Sequence, residues 1–270
     1  MTQSDATQSG GNQSGEILTR LLEEDSLLGV TLNAPPGNIL TMDRMREMDA
    51  ALEEHRRNDA LKLILIQGAG GQFSYGASIQ EHQREHAAEL LQGFHHLVRR
   101  IVTNPVPVAA AVEGRCLGAG FELALCCHLL FVTPEASLGS PEIRLGVFPP
   151  VLAALGRERL GPFRTERLFL TGETIRGRDL LDWGLALPLN SSDPRDSFLE
   201  WFRERMAPLS AYSLREATRA LRDSSSLVDR VGRPLTMAEN RYLERLVPSH
   251  DGNEGIRSFL EKREPVWRNA

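Results

Sequence analysis

Strand-like and helix-like segments alternate along the first two thirds of the chain, and this alternation restricts the folds that are open to it. Short runs of β-branched and other apolar residues are typical of buried strands, and they occur at 28–32, 61–66, 106–112 and 129–132. Helical periodicity predicts helices from Thr41, a suitable N-cap, to about Arg57 and from Ile79 to Ile101. Strands separated by helices of this length pair in parallel through crossover connections, so the sequence predicts an α/β fold.

The pattern changes near residue 192, beyond which the chain is purely helical and highly charged. We therefore expect three parts. They are a disordered lead over residues 1–15, an α/β core over 16–192 and a helical segment over 193–270. The helical segment is expected to cap the core or to pack against neighbouring subunits.

Composition and charge exclude several classes of function. The formal net charge of −5 at pH 7 gives no cationic surface overall, so nucleic-acid binding is not expected. No apolar run reaches the length of a membrane span and the N-terminus lacks the apolar stretch of a signal peptide, so we expect a cytoplasmic protein that does not enter a membrane. The cysteines, Cys116, Cys126 and Cys127, lack zinc-type spacing and fit a reducing compartment.

Two acidic residues stand in apolar surroundings. Glu122 lies in a predicted helix that is otherwise apolar and runs to Cys127, and Glu142 lies between turn residues and Ile143. A carboxyl group on a buried element must be paired, protonated or functional, and two such groups can share the roles of acid and base. Spacing alone favours the structural interpretation, in which each acid caps a turn or pairs with an arginine such as Arg144.

Small residues allow the backbone to approach a ligand directly at two turns. Residues 73–78 read FSYGAS and lie between a predicted strand and a predicted helix, and residues 118–120 read GAG and open the helix that carries Glu122. Backbone N–H groups at such turns, one of them at a helix N-terminus, can stabilise negative charge that develops on a ligand oxygen.

Six segments of the chain resemble the crotonase family, whose members process coenzyme A (CoA) thioesters. The segments are 65–78, 107–125, 137–147, 170–175, 183–186 and 254–263. The resemblance runs from about residue 25 to the end, and it implies that the core, 16–192, is a spiral of ββα units. It also implies that the C-terminal helical segment joins subunits into a homotrimer or a dimer of trimers.

The resemblance assigns roles to single residues. It implies that the N–H groups of Ala77 and Ala119 form an oxyanion hole, that Glu122 activates water and that Glu142 exchanges a proton with a substrate carbon. It also places a larger set at the CoA and substrate site: Gly37, Asn38, Gly76, Ser78, Ile79, Gln80, Gly118, Phe259 and Lys262. The implied reaction adds water to an unsaturated acyl-CoA, with CoA as part of the substrate and with no metal or other cofactor.

Two departures from the family pattern bear on the substrate. Ser78 stands where most relatives have Asp, which leaves its role open, and residues 148–152 replace a glycine-rich loop after the second acid. The second change implies a reshaped acyl pocket that favours a cyclic dienoyl-CoA of anaerobic aromatic-acid degradation. Four segments point the same way: 73–82, 128–131, 146–150 and 249–251. A short straight-chain enoyl-CoA, as substrate of a hydratase or an isomerase, is the alternative.

A rival interpretation comes from His82, Glu85 and His86, which have the H-x-x-E-H spacing of inverted zinc peptidases. A solvated polar helix face explains the same residues, and no third ligand stands out downstream. RNA-binding or inactive relatives are a further class, against which the acidic balance and the presence of both glutamates argue. The roles of Tyr75 and His128 are left open by the sequence.

Overall fold

Two β-sheets and eleven α-helices make up the part of the chain that the computed structural model describes, residues 15–224 and 227–270. The strands are β1 (Ile17–Leu22), β2 (Leu27–Leu32), β3 (Leu63–Gly68), β4 (Val108–Val112), β5 (Arg115–Leu117), β6 (Leu129–Val132), β7 (Ser137–Gly139), β8 (Thr174–Arg176) and β9 (Leu187–Pro188). The helices are α1 (Met42–His55), α2 (Ala87–Val102), α3 (Ala119–Cys126), α4 (Pro150–Leu160), α5 (Pro162–Thr171), α6 (Gly177–Asp182), α7 (Pro194–Arg205), α8 (Ala211–Asp223), α9 (Leu227–Val231), α10 (Arg233–Arg241) and α11 (His250–Leu260). Shorter turns are the 3₁₀ segments Gln80–His82 and Pro141–Leu145 and the π-helical segment Tyr242–Leu246.

The larger sheet has the strand order β1-β2-β3-β4-β6-β9, and its strands run parallel except for β1, which is antiparallel to β2. Four of its strands, β2, β3, β4 and β6, are the four that the sequence predicts, so the predicted parallel α/β class is confirmed. The smaller sheet, β5-β7-β8, is not foreseen by the sequence. Its strands have three residues each, which is too short for an alternating pattern to stand out.

The larger sheet buries apolar side chains on both faces, because successive residues of a strand point to opposite sides. On one face Leu28 and Ile64 belong to the main core, which also includes α1, α2 and α3. On the other face Leu63 and Phe131 pack with side chains of α7. The rings of Phe131 and Phe198 meet edge to face, with centroids 5.0 Å apart. Since burial of one such side chain contributes about 1.5–3 kcal/mol, α7 is held firmly on the sheet.

Helix α1 begins as predicted, whereas α2 begins later than predicted. The side chain of Thr41 accepts a hydrogen bond from the backbone N–H of Arg44 at 3.3 Å, which confirms the N-cap. The prediction of a helix from Ile79 is wrong at its start, since the 3₁₀ turn Gln80–His82 and the stretch 83–86 precede α2. Residues 83–86 are exposed, so no apolar contact holds them in a helix.

The zinc-peptidase alternative requires His82, Glu85 and His86 on one helical turn, and this turn does not form. The Nδ1 atom of His82 lies 2.8 Å from the carbonyl oxygen of Ser78, while Glu85 and His86 are exposed. In the described ranges, no group of three or more His, Cys, Asp and Glu side chains is placed to hold a metal ion. The structure therefore does not support this alternative.

From Pro194 onward every described element is a helix. The exact division between core and C-terminal segment stays a prediction, because α7 packs on the larger sheet and so belongs to both parts. Residues 1–14 of the predicted disordered lead lie outside the described residues. None of the described helices combines the length and the apolar character that crossing a membrane requires.

Candidate active site

A cavity of about 760 Å³ lies between the core and the C-terminal helices. Its floor is formed by the turn after β3, the N-terminus of α3 and the 3₁₀ turn Pro141–Leu145, and α2, the π-helical turn and α11 also reach it. Among the residues of the predicted site, those that line the cavity are Gly76, Ala77, Ile79, Gln80, Gly118, Ala119, Glu122, Glu142 and Phe259. A cavity of this volume is typical of a small-molecule site.

The turn after β3 leaves the backbone N–H of Ala77 without an acceptor among the described residues. Leu40 N–H donates to the carbonyl of Gly76 at 2.9 Å, and Ser78 N–H donates to the carbonyl of Leu40 at 3.0 Å. Because Leu40 bonds to the residues on both sides of Ala77, the N–H of Ala77 itself points away from Leu40. The hydroxyl of Ser74 supports the turn, because it accepts from Gly76 N–H at 3.1 Å and donates to the carbonyl of Asn38 at 2.8 Å.

The second turn presents the N-terminus of α3 to the same cavity. Ala119 is the first residue of α3, so its N–H is one of those that have no acceptor within the helix. Gly118 precedes it with φ +54°, a conformation that favours glycine. A Cβ atom on Gly76 would lie 3.4 Å from the nitrogen of Ala119, which shows that the two turns touch. The turn that carries Ala77 therefore lies against the N-terminus of α3, where the helix dipole is positive.

The two glutamates lie beside these turns. Glu122, on the first turn of α3, is 3% exposed, and its Oε1 accepts a hydrogen bond from Leu152 N–H of α4 at 2.8 Å. Glu142 lies against Gly118, where a Cβ atom would approach its Oε1 to 2.8 Å. The Oε2 atom of Glu142 is buried and has no hydrogen-bond partner among the described residues. Glu122 is thus held by a hydrogen bond from the protein, whereas Oε2 of Glu142 is left for a partner from a ligand.

The environment of the glutamates favours one shared proton at neutral pH. Burial raises the pKa of Glu122 to about 7, although the N–H groups of Leu152 and Val151 lower it. Burial, and after it the charge of Glu122, raises the pKa of Glu142 well above its usual range. Two carboxyl groups that cannot both ionise easily can serve as a base and an acid in one reaction.

Four residues of the predicted site do not line the cavity: Gly37, Asn38, Ser78 and Lys262. Asn38 is 1% exposed, and its side chain donates to the carbonyls of Ala69 at 2.9 Å and Gln72 at 2.7 Å. Its Oδ1 accepts from Ala34 N–H at 3.0 Å. Because these bonds occupy the amide, Asn38 braces the loop beneath the turn after β3. The predicted contacts of the four residues with CoA stay predictions.

The roles that the sequence leaves open are in part structural. Tyr75 lines the cavity, and its ring lies 5.3 Å from the guanidinium of Arg115. His128 lies outside this cavity, and its Nδ1 accepts from Val108 N–H at 3.0 Å. Burial, and after it the nearby Arg222, lowers the pKa of His128 to about 3, so this histidine is a neutral support between α3 and the sheet.

Several cavity residues are not among the predicted site residues. Phe148, Tyr242 and Ile256 form a largely apolar part of the lining, here called the aromatic wall, and two basic residues, Arg144 and Arg263, also line the cavity. Tyr242 and Arg263 lie more than 90 residues after the second acid in a charged helical region, so no periodicity links them to the site. Only the change at 148–152 hints at this wall in advance.

The backbone N–H groups of Ala77 and Ala119 are available to a ligand near two acids that can hold a proton, Glu122 and Glu142. This arrangement suits the transfer of protons and water next to a carbonyl group. The model of the family described as enoyl-CoA hydratase/isomerase matches residues 23–270. The chain therefore belongs to this family, the crotonase family, as its six segments predict.

Individual proteins show the same likeness. The chain is 43% identical over 249 residues to cyclohexa-1,5-dienecarbonyl-CoA hydratase of Thauera aromatica. The aligned residues cover 92% of this chain and 95% of that protein. It is 32% identical over 256 residues to 2,3-dehydroadipyl-CoA hydratase of Escherichia coli (strain K12). This alignment covers 91% of this chain and 96% of that protein. The crystal structure of an enoyl-CoA hydratase from Mycobacterium avium subsp. paratuberculosis K-10 matches with a TM-score of 0.80 and 25% identity, over 94% of this chain and 98% of that one. The chain is a hydro-lyase of the enoyl-CoA hydratase type.

Proposed function

We propose that this hydratase acts on cyclohexa-1,5-diene-1-carbonyl-CoA and forms 6-hydroxycyclohex-1-ene-1-carbonyl-CoA. The observation that carries the proposal is the aromatic wall of the cavity, which includes Phe148 and Tyr242. The ring of Phe148 meets Tyr242 at 5.6 Å and 75° and Phe169 at 5.8 Å and 39°. Flat aromatic faces pack well against a flat six-membered ring. The relative from Thauera aromatica, which is named for this substrate, supports the same choice.

In the proposed reaction the thioester oxygen accepts hydrogen bonds from the N–H groups of Ala77 and Ala119. Glu122 takes a proton from water, and the hydroxide adds to the ring carbon that is β to the thioester. Negative charge then moves onto the thioester oxygen, where the two N–H donors stabilise it. Glu142 gives a proton to the far carbon of the diene, which leaves one double bond. No electron leaves the substrate, so the proposed reaction needs no redox cofactor and CoA enters only as part of the substrate.

Positive side chains at the cavity support the proposal that the ligand is a CoA ester. Arg115 and Arg144 line the cavity together with the exposed ring of Phe259, whereas Arg263, which also lines it, is paired with Glu254 and Glu261. Guanidinium groups pair well with phosphate groups, and an exposed ring can stack on a base. We propose that the CoA phosphates and adenine bind at the part of the cavity that these side chains line.

The test is a direct comparison of two substrates. Purified protein is incubated with cyclohexa-1,5-diene-1-carbonyl-CoA or with crotonyl-CoA, and the mass gained from one water molecule is followed over time. We expect a higher kcat/KM for the cyclic ester. A higher value for crotonyl-CoA would instead favour a straight-chain enoyl-CoA hydratase, and movement of the double bond without added water would favour an isomerase.

We further infer that the chain assembles as a homotrimer or a dimer of trimers. The C-terminal helices support this inference, because they expose apolar side chains such as Leu221, at 66%, and Met237, at 60%. Exposed apolar residues on one segment are typical of a surface that a second subunit covers. Light scattering of the protein as it elutes from a size-exclusion column measures the mass of the assembly. A mass equal to that of one chain would contradict the inference.

A further inference from the structure

Tyr242 has a buried hydroxyl group that the reaction described above does not use. The residue is 2% exposed, lines the cavity and begins the π-helical turn Tyr242–Leu246 after α10. Its hydroxyl oxygen has no hydrogen-bond partner among the described residues. Since a buried hydroxyl without a partner is unfavourable, a polar atom of whatever fills the cavity is the natural partner.

The packing around Tyr242 fixes where this hydroxyl lies. The ring belongs to a buried cluster with Leu91, Val147 and Ile256, and Phe148 meets it edge to face. Three different parts of the chain hold the ring, so it has little freedom to turn away. A π-helical turn adds one residue to a helical turn and redirects a side chain, and such turns often occur at functional sites.

A second atom in the same cavity lacks a partner too. Oε2 of Glu142 is buried and has no hydrogen-bond partner in the described part of the chain, and Glu142 lines the cavity together with Tyr242. Burial, and after it the charges of Glu142 and Glu122, raises the pKa of Tyr242, so its hydroxyl keeps its proton and can donate a hydrogen bond. A ligand bound in this cavity can supply a polar partner to each of the two atoms.

We propose that the Tyr242 hydroxyl donates a hydrogen bond to the oxygen atom that the reaction adds, first in water and then in the product hydroxyl. This inference rests on the proposed hydratase mechanism. A water molecule that donates one hydrogen bond to the carboxylate of Glu122 and one to the carbonyl oxygen of protonated Glu142 has two lone pairs. Tyr242 occupies one of them, which leaves the other to attack the ring carbon. The product oxygen can accept the same bond and donate its proton to a carboxylate.

Tyr242→Phe removes only the oxygen atom and keeps the packed ring. We expect kcat to fall about 10- to 100-fold with KM nearly unchanged, because one hydrogen-bond donor to the reacting oxygen is lost in a largely buried site. Tyr212→Phe is the matched control, since Tyr212 is 72% exposed and does not line the cavity. A melting temperature close to that of the wild type shows that the fold of the variant is intact.

A binding comparison distinguishes this role from a structural one. The product, 6-hydroxycyclohex-1-ene-1-carbonyl-CoA, and cyclohex-1-ene-1-carbonyl-CoA differ only by the hydroxyl group. We expect the wild type to bind the hydroxylated ester more tightly, and Tyr242→Phe to lose about 5- to 10-fold of this preference. An unchanged preference together with a kcat equal to that of the control would overturn the inference. If the wild type binds both esters but hydrates no enoyl-CoA, the proposed function fails, whereas loss of the preference in Tyr242→Phe still supports the hydroxyl contact.

Discussion

The two walls of the cavity differ in composition and in origin. The wall from the core is polar and is built from backbone turns at Ala77 and Ala119 and from the acids Glu122 and Glu142. The aromatic wall is largely apolar, and it includes Phe148 together with residues of the C-terminal helices. We propose that the chemistry lies on this core wall, whose elements are held in place by parallel strands and short turns. We propose that the other wall, from the segment after Glu142 and from the C-terminal helices, selects the acyl group.

The largest effect is expected from loss of an acid on the core wall. Glu142→Gln keeps the size of the side chain but removes the transferable proton, so we expect kcat to fall about 100- to 10,000-fold while CoA esters still bind. Steady-state kinetics and equilibrium binding measure the two quantities. Glu204→Gln, at an exposed position outside the cavity, is the control. Hydration near the wild-type rate in Glu142→Gln would contradict the assignment of the core wall as the catalytic one.

Gly118→Ala tests whether the backbone geometry of the core wall matters as much as its acids. The added Cβ would lie 2.8 Å from Oε1 of Glu142 in a backbone with φ +54°, so the carboxylate must move. We expect kcat to fall about 10- to 100-fold and the free energy of unfolding to fall by about 1–2 kcal/mol. Gly93→Ala in α2 is the control, because a Cβ there has no heavy atom within 4 Å and should stabilise the helix by about 0.5–1 kcal/mol. If Gly118→Ala and Gly93→Ala had equal activities, the backbone geometry at Gly118 would not matter for catalysis.

The pH dependence of activity tests the shared proton. Below the lower pKa of the pair both acids are protonated and no base remains, and above the higher pKa both are ionised and no acid remains. We expect a bell-shaped profile of kcat whose limbs change about tenfold per pH unit. A profile of kcat that is flat from pH 5 to pH 9 would exclude the shared proton.

Stability should depend on the same pair. An unfolded glutamate titrates near 4.5, whereas burial raises the pKa of Glu122 to about 7 in the folded protein. Between these values the folded state holds a proton that the unfolded state has released, so stability falls as pH rises through this window. We expect the wild type to lose about 1–3 kcal/mol from pH 5 to pH 8, and a variant with both Glu122→Gln and Glu142→Gln to lose less. Urea unfolding at the two pH values measures the difference.

The smallest effect is expected on the aromatic wall. Phe148→Leu removes the flat face that meets Tyr242 and Phe169 but keeps the wall apolar. We expect the preference for the cyclic ester over crotonyl-CoA, as a ratio of kcat/KM values, to fall about 3- to 10-fold. Phe163→Leu, at a position that is 76% exposed and outside the cavity, should leave the ratio unchanged. A ratio in Phe148→Leu equal to that of the wild type would show that this wall does not select the acyl group.

Much of the core wall follows from the sequence. Thr41 marks the start of α1, the run 129–132 forms β6, and Glu122 lies on a helix that opens with small residues, as expected. These features depend on neighbours within one turn or one strand, so local pattern contains the information. The family resemblance adds the pairing of Glu122 with Glu142, which spacing alone would have left as two structural acids.

The tertiary structure decided the rest. The short strand β5 forms because β7 pairs with it, and the helix predicted from Ile79 fails at its start because residues 83–86 find nothing to pack against. Asn38 proves to brace a loop through hydrogen bonds to residues about 30 positions away. Tyr242 lines the same cavity as the glutamates only because the C-terminal helices fold back over it. Such contacts join residues far apart in the chain, and local propensity and periodicity contain no information about them.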